Sequence, residues 1–130
     1  MNNLYRHPRL ILCSLVILIL GAGAASADIV TFTAVLSGAN EVPPNSSTAV
    51  GTAVLTVDNE GPLTGIPLYI EFSGLSSPQT GAHVHNGAAG VNGPVIHPLP
   101  LGSPLDTTLD LDGITEIAAL SGGNLYVNIH

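Results

Sequence analysis

The chain has 130 residues and carries two basic side chains against nine carboxylates, a formal net charge of −7 with histidine neutral. Both arginines, Arg6 and Arg9, and the lone Cys13 lie in the first 27 residues, so residues 28–130 contain no lysine, arginine or cysteine. This excludes nucleic acid as a partner, because phosphate binding draws on Lys and Arg displacing counterions, and it disfavours anionic membranes and anionic substrates while attracting cations.

Met1 to Ala27 reads as a basic head, an apolar stretch from Leu10 to Leu20 and a small-residue close on Ala25-Ser26-Ala27. That is the pattern of a secretory signal peptide cleaved before Asp28. The apolar stretch falls short of the ~20 residues that a membrane-spanning helix needs. The expectation is therefore a signal peptide over 1–27, a secreted or periplasmic product, and no membrane span after cleavage. Residues 28–130 fit one domain, able to bury roughly two thirds of its unfolded surface. No disulfide can support it.

From Asp28 onward, β-type runs alternate with Gly, Pro, Asn and Ser punctuation, the signature of an all-β sandwich or barrel. Ile29 to Leu36 is the first predicted strand. Ser37 to Thr48 is a loop, where Pro43-Pro44 removes two backbone donors. Ala49 to Val57 is the second strand, offering Val50, Ala53, Leu55 and Val57 to a core. Asp58 to Pro62 is a turn by composition. Leu68 to Phe72 is the third strand, with Leu68, Ile70 and Phe72 on one face. His83 to His85 is the fourth, Pro94 to Leu99 the fifth and Leu105 to Leu111 the sixth. Ile114 to Leu120 is the one segment of helical character, stopped by Gly122-Gly123. Leu125 to His130 is the seventh strand, and its end without a turn or polar tail leads us to expect a chain truncated at the carboxyl end. The predicted fold is an antiparallel Greek-key β-sandwich or barrel with one short helix and a mainly aliphatic core that includes Phe32 or Phe72.

The histidines carry the chemistry. Side chains one residue apart on a strand share a face, so His83 and His85 point one way and Val84 the other. Their bases lie roughly 6.5 to 7 Å apart, and metal–nitrogen bonds of about 2.0 Å let both rings reach one ion. His130 points outward if Val127 and Ile129 face the core, which matches the parity of His83 and His85. His97, across the loop, is a possible fourth ligand. An imidazole-only set suits copper(II) or zinc, with copper favoured by the affinity order. The plainer alternative is that these rings hydrogen-bond backbone carbonyls and anchor the long loop.

Other candidates are weaker. Gly87, Gly90 and Gly93 mimic a dinucleotide loop, but they neither lead a strand into a helix nor have a basic partner, so a turn-forming loop is the reading. Asp110 and Asp112 share a strand face near Asp106, a spacing able to offer oxygens to calcium, although a solvated acidic edge accounts for it. Asn45-Ser46-Ser47 has the form of a glycosylation sequon. No Gly-x-Ser-x-Gly elbow and no cysteine nucleophile is present in residues 28–130, so no catalytic residue is assigned.

Four segments resemble the CHRD domain, found in chordin and in many secreted bacterial proteins: Phe32-Thr-Ala-Val-Leu-Ser-Gly-Ala-Asn-Glu-Val-Pro-Pro44, Gly51-Thr-Ala-Val-Leu55, His83-Val-His-Asn-Gly-Ala-Ala-Gly-Val-Asn-Gly-Pro94 and Gly123-Asn-Leu-Tyr-Val-Asn-Ile-His130. The resemblance implies an extracellular or periplasmic β-sandwich module of undefined biochemical role, with no catalytic residues. It also implies a Gly-Gly-Glu-Ile-Arg-Gly type continuation past His130. Gly81-Ala-His-Val-His85 and the loop after it are similar to the copper-ligand strand of Cu/Zn superoxide dismutase, without that family's zinc set, cysteine pair or guiding arginine. The functional expectation is thus a non-enzymatic module that binds an unknown protein or surface partner or serves envelope structure. The alternative is a copper or zinc binding protein using His83, His85 and His130, with His97 as a possible fourth ligand. A dismutase-like redox enzyme ranks third.

Overall fold

The computed structural model describes residues 28–130; the predicted signal peptide lies outside the described residues. Among the described residues the seven strands are β1 (Ile29–Ser37), β2 (Val50–Asp58), β3 (Ile66–Ser73), β4 (Ala82–Asn86), β5 (Val95–Pro98), β6 (Leu105–Leu109) and β7 (Leu125–Ile129). Helix α1 (Gly113–Ser121) lies between β6 and β7, and a 3-10 turn covers Gly38–Asn40. Among the described residues no helix is long and apolar enough to cross a membrane.

The strands form two antiparallel sheets, one in the order β1-β2-β3-β6 and the other β5-β4-β7. Of the two all-β architectures the sequence allows, the sandwich is the one adopted. The chain leaves the first sheet after β3, builds β4 and β5 in the second, and returns to pair β6 with β3.

Alternation decides which face is buried. Ala53, Leu55 and Val57 of β2, Ile66, Leu68 and Ile70 of β3, and Leu105 and Leu109 of β6 meet Ala82 and Val84 of β4 in one core. Phe32 and Phe72 pack against it half-buried. Ile70 is the side chain most completely removed from water, at 0 % exposure. Val50, expected in the core, is instead 59 % exposed. It sits an odd number of residues from Ala53, so the two-residue period of the strand sends it to the opposite face.

Local chemistry sets the ends of α1. Gly123 takes a left-handed φ of +69°, which costs a residue without a Cβ nothing. The Asn124 N–H then donates to the Ala119 carbonyl at 2.8 Å and the Gly123 N–H to the Leu120 carbonyl at 3.0 Å. This paired closure of the last turn is a Schellman motif. It delivers the chain directly into β7. At the other end, the Asp112 N–H donates to Glu116 Oε2 at 2.8 Å, satisfying one of the donors a helix start leaves free. Because β6 ends at Leu109, Asp110 and Asp112 do not share a strand face as expected. Asp110 accepts the Gly65 N–H at 2.7 Å, and Asp112 stands at the helix start.

Candidate functional site

β4 positions the first two imidazoles. Ala82 and Val84 are 1 % and 4 % exposed on the core face, so strand alternation sends His83 and His85 together to the outer face. β4 is the central strand of its sheet, flanked by β5 and β7. The register with β7 aligns His83 with Asn128 and His85 with Tyr126. Two pairs beyond His83 and Asn128, the His130 N–H donates to the Gly81 carbonyl at 2.9 Å, and the His130 carbonyl accepts from the Thr80 N–H at 2.7 Å. These bonds tie the end of β7 to the start of β4. They bring His130 beside His83.

The three rings converge. The His83 and His130 centroids are 5.3 Å apart, and those of His83 and His85 are 5.9 Å apart. One ligand nitrogen from each of His83, His85 and His130 lies within 4.8 Å of the others. Nitrogens bound to a common ion at about 2.0–2.1 Å cannot be more than about 4.2 Å apart. Closing from separations of up to 4.8 Å asks for ring rotation, and His130, exposed at the end of its strand, has room for it. Gly81 floors the site. A Cβ placed there would lie 3.2 Å from His83 Cε1 and 3.5 Å from His130 Cδ2. A cleft of about 780 Å³ opens beside it between β1, the segment after it, the Gly87–Asn92 loop and β7, and His130 and Glu41 are among its walls.

Two nitrogens in this cluster are buried without a hydrogen-bond partner among the described residues: His83 Nδ1 and His85 Nε2. Leaving a buried polar group unpaired costs about 1–3 kcal/mol. On His85 the other nitrogen is committed. Nδ1 lies 2.9 Å from the Gly93 carbonyl, and a carbonyl oxygen only accepts, so Nδ1 holds the proton and Nε2 offers a lone pair. The plainer sequence reading, rings bonded to backbone carbonyls, therefore describes one nitrogen of His85 and leaves the other available.

His97 does not join this cluster. It pairs with Val84 across β4 and β5 and so shares the core-side face, opposite to His83 and His85. The pairing then shifts between Val84 and His85. His97 Nε2 instead lies 2.7 Å from Glu116 Oε2, tying β5 to the first turn of α1. Partial burial pushes the Glu116 carboxyl up, but the hydrogen bonds from the Asp112 N–H and the His97 ring outweigh it and hold the carboxyl below the usual range.

One residue that sequence reasoning passed over, Tyr126, stands beside the cluster. Tyr126 stacks on His85, with ring centroids 4.9 Å apart and planes 13° from parallel. Its hydroxyl accepts the Gly93 N–H at 3.1 Å. The alternation of β7 puts Tyr126, Asn128 and His130 on one face, which was legible; that Tyr126 faces His85 was not.

The CHRD domain family matches residues 32–130. The chain belongs to the CHRD-domain family. The match spans all seven strands from within β1 to the last residue, and it includes each of the three clustered histidines. No curated protein and no solved structure matches the chain. The CHRD domain is here a β-sandwich module in which the outer face of β4 and the end of β7 build a histidine cluster.

Proposed function

We propose that this CHRD domain is a non-catalytic, extracytoplasmic binding module whose ligand is a divalent transition metal, copper(II) or zinc, held by His83, His85 and His130. The observation that carries the reading is the convergence of His83, His85 and His130, each offering a ligand nitrogen within 4.8 Å of the others, beside two buried nitrogens, His83 Nδ1 and His85 Nε2, that find no partner among the described residues. A metal ion would use both lone pairs and offset a cost of about 1–3 kcal/mol for each. Three imidazoles leave a coordination position for water or for a donor from another molecule. Copper(II) binds such nitrogen sets more tightly than zinc. The acidic surface supports cation capture and not the recognition of anions. The signal-type N-terminus supports a location outside the cytoplasm. The open position also leaves room for a protein or surface partner, the role the family suggests.

Copper(II) titrated into the metal-free chain, purified without a histidine tag, is expected to bind in a one-to-one ratio. Binding is expected to weaken as the pH falls, because protons compete for imidazole lone pairs. The double variant His83→Ala/His85→Ala is expected to lose the site. Unaltered stoichiometry and affinity in that variant would rule it out.

A further inference from the structure

We propose that Tyr126 and the backbone of Gly93 form a clamp that holds His85 as its Nδ1-protonated tautomer, with Nε2 aimed into the cluster. Three contacts close a ring of interactions. The His85 Nδ1–H donates to the Gly93 carbonyl at 2.9 Å, the Gly93 N–H donates to the Tyr126 hydroxyl oxygen at 3.1 Å, and the Tyr126 ring stacks on His85 at 4.9 Å. The Gly93 residue thus works in two directions at once. Its carbonyl sets the proton on the imidazole, and its amide fixes the phenol that covers the imidazole's face.

The loop from Gly87 to Gly93 is built for this placement. A Cβ on Gly93 would collide with the Asn86 carbonyl, and one on Gly87 would lie 2.9 Å from Gly93 Cα. The two glycines let the ends of the loop touch. The Asn86 N–H donates to the Pro94 carbonyl at 3.1 Å and the Gly87 N–H to the Asn124 carbonyl at 2.8 Å, securing both ends. The Asn92 side chain donates to the Val42 carbonyl at 3.0 Å, which holds the tip against the segment following β1. A dinucleotide-like glycine spacing is thereby explained by close backbone approach around a histidine.

The consequence for the cluster is electronic as well as geometric. An imidazole that donates its other N–H to a carbonyl is oriented and made more basic at the free nitrogen, and losing such outer partners costs about 10–100-fold in metal affinity. Tyr126 is a positioning residue in this scheme and does not touch the ion. The functional purpose of the clamp rests on the metal reading above; its geometry does not.

The test uses the metal-free, ¹⁵N-labelled chain at about pH 8, with protonation states and tautomers read from long-range ¹H–¹⁵N correlations. His85 is expected in the Nδ1–H form. Tyr126→Phe keeps the stack and removes the acceptor of the Gly93 N–H, so faster exchange of that amide and a zinc affinity weakened about 10-fold are expected. Tyr126→Leu removes both contacts, so mixed His85 tautomers and a loss approaching 100-fold are expected, with the tautomer of His83 unchanged. An Nε2–H tautomer of His85 in the unsubstituted chain overturns the proposal. So does a tautomer left pure, with zinc affinity unchanged, in both variants. If Tyr126→Leu does not fold, the Gly93 exchange and the zinc affinity of Tyr126→Phe decide. Should the unsubstituted chain show the expected tautomer and bind no zinc, the clamp stands and the metal reading falls.

Discussion

Replacing His83 with leucine separates a residue retained for binding from one retained for stability. His83 Nδ1 is buried without a partner, so the substitution removes an uncompensated polar atom and keeps an apolar side chain between His130 and His85. In the metal-free protein, stability is expected to hold or rise by about 1 kcal/mol, the lower end of the cost of an unpaired buried group. With metal the order reverses. A ligand at 100 times its dissociation constant stabilises the folded state by about 2.7 kcal/mol, and about 1 kcal/mol moves the Tm of a domain of about 100 residues by about 4–8 °C. The unsubstituted chain should therefore gain about 10–20 °C in saturating zinc or copper. His83→Leu should gain little. Thermal melts followed by circular dichroism, with and without metal, read both effects from one pair of proteins. An equal metal-induced rise in the two chains would remove His83 from the site. A metal-free loss well above about 1 kcal/mol would show that the nitrogen has a stabilising partner.

His97→Ala should leave copper affinity within about 2-fold, since the ring faces away from the cluster, while the loss of the bond to Glu116 costs about 1 kcal/mol; calorimetry and urea melts check the two halves. Glu116 has a folded pKa below its ordinary value, so its contribution is present above the unfolded-state value of about 4.3 and is lost as the pH falls through the lower folded value. Glu116→Gln should therefore flatten the acid limb of a urea-midpoint profile below about pH 5, and a profile parallel to that of the unsubstituted chain would refute the assignment. Ile70→Ala empties the most completely buried position of the core and should cost about 2–5 kcal/mol, a large part of the 5–15 kcal/mol typical of a domain; a loss below about 1 kcal/mol in chemical denaturation would mean the site collapses around the smaller side chain.

Much of this protein was legible locally. The two-residue period put His83 and His85 on one face and Val84 on the other, and the structure keeps that division because Val84 is buried and a slip of one residue would exchange the faces. The paired glycines after Leu120 announced a helix stop, and Gly123 adopts the left-handed backbone that the stop requires. The absence of basic side chains in residues 28–130 is likewise a property of the sequence alone.

What sequence could not decide was which strands are neighbours. Parity places His130 on an outward face, but only the pairing of β4 with β7 brings it beside His83. The same pairing sets Tyr126 against His85, and the loop closure over Gly93 supplies the second half of that contact. His97 shows the converse. Chain proximity made it a candidate ligand, and its pairing opposite Val84 turned it to the other face. Periodicity follows from the covalent geometry of a strand, so it can be read residue by residue. Strand order and register follow from burying one common core among distant segments, a condition that exists only once the chain has folded.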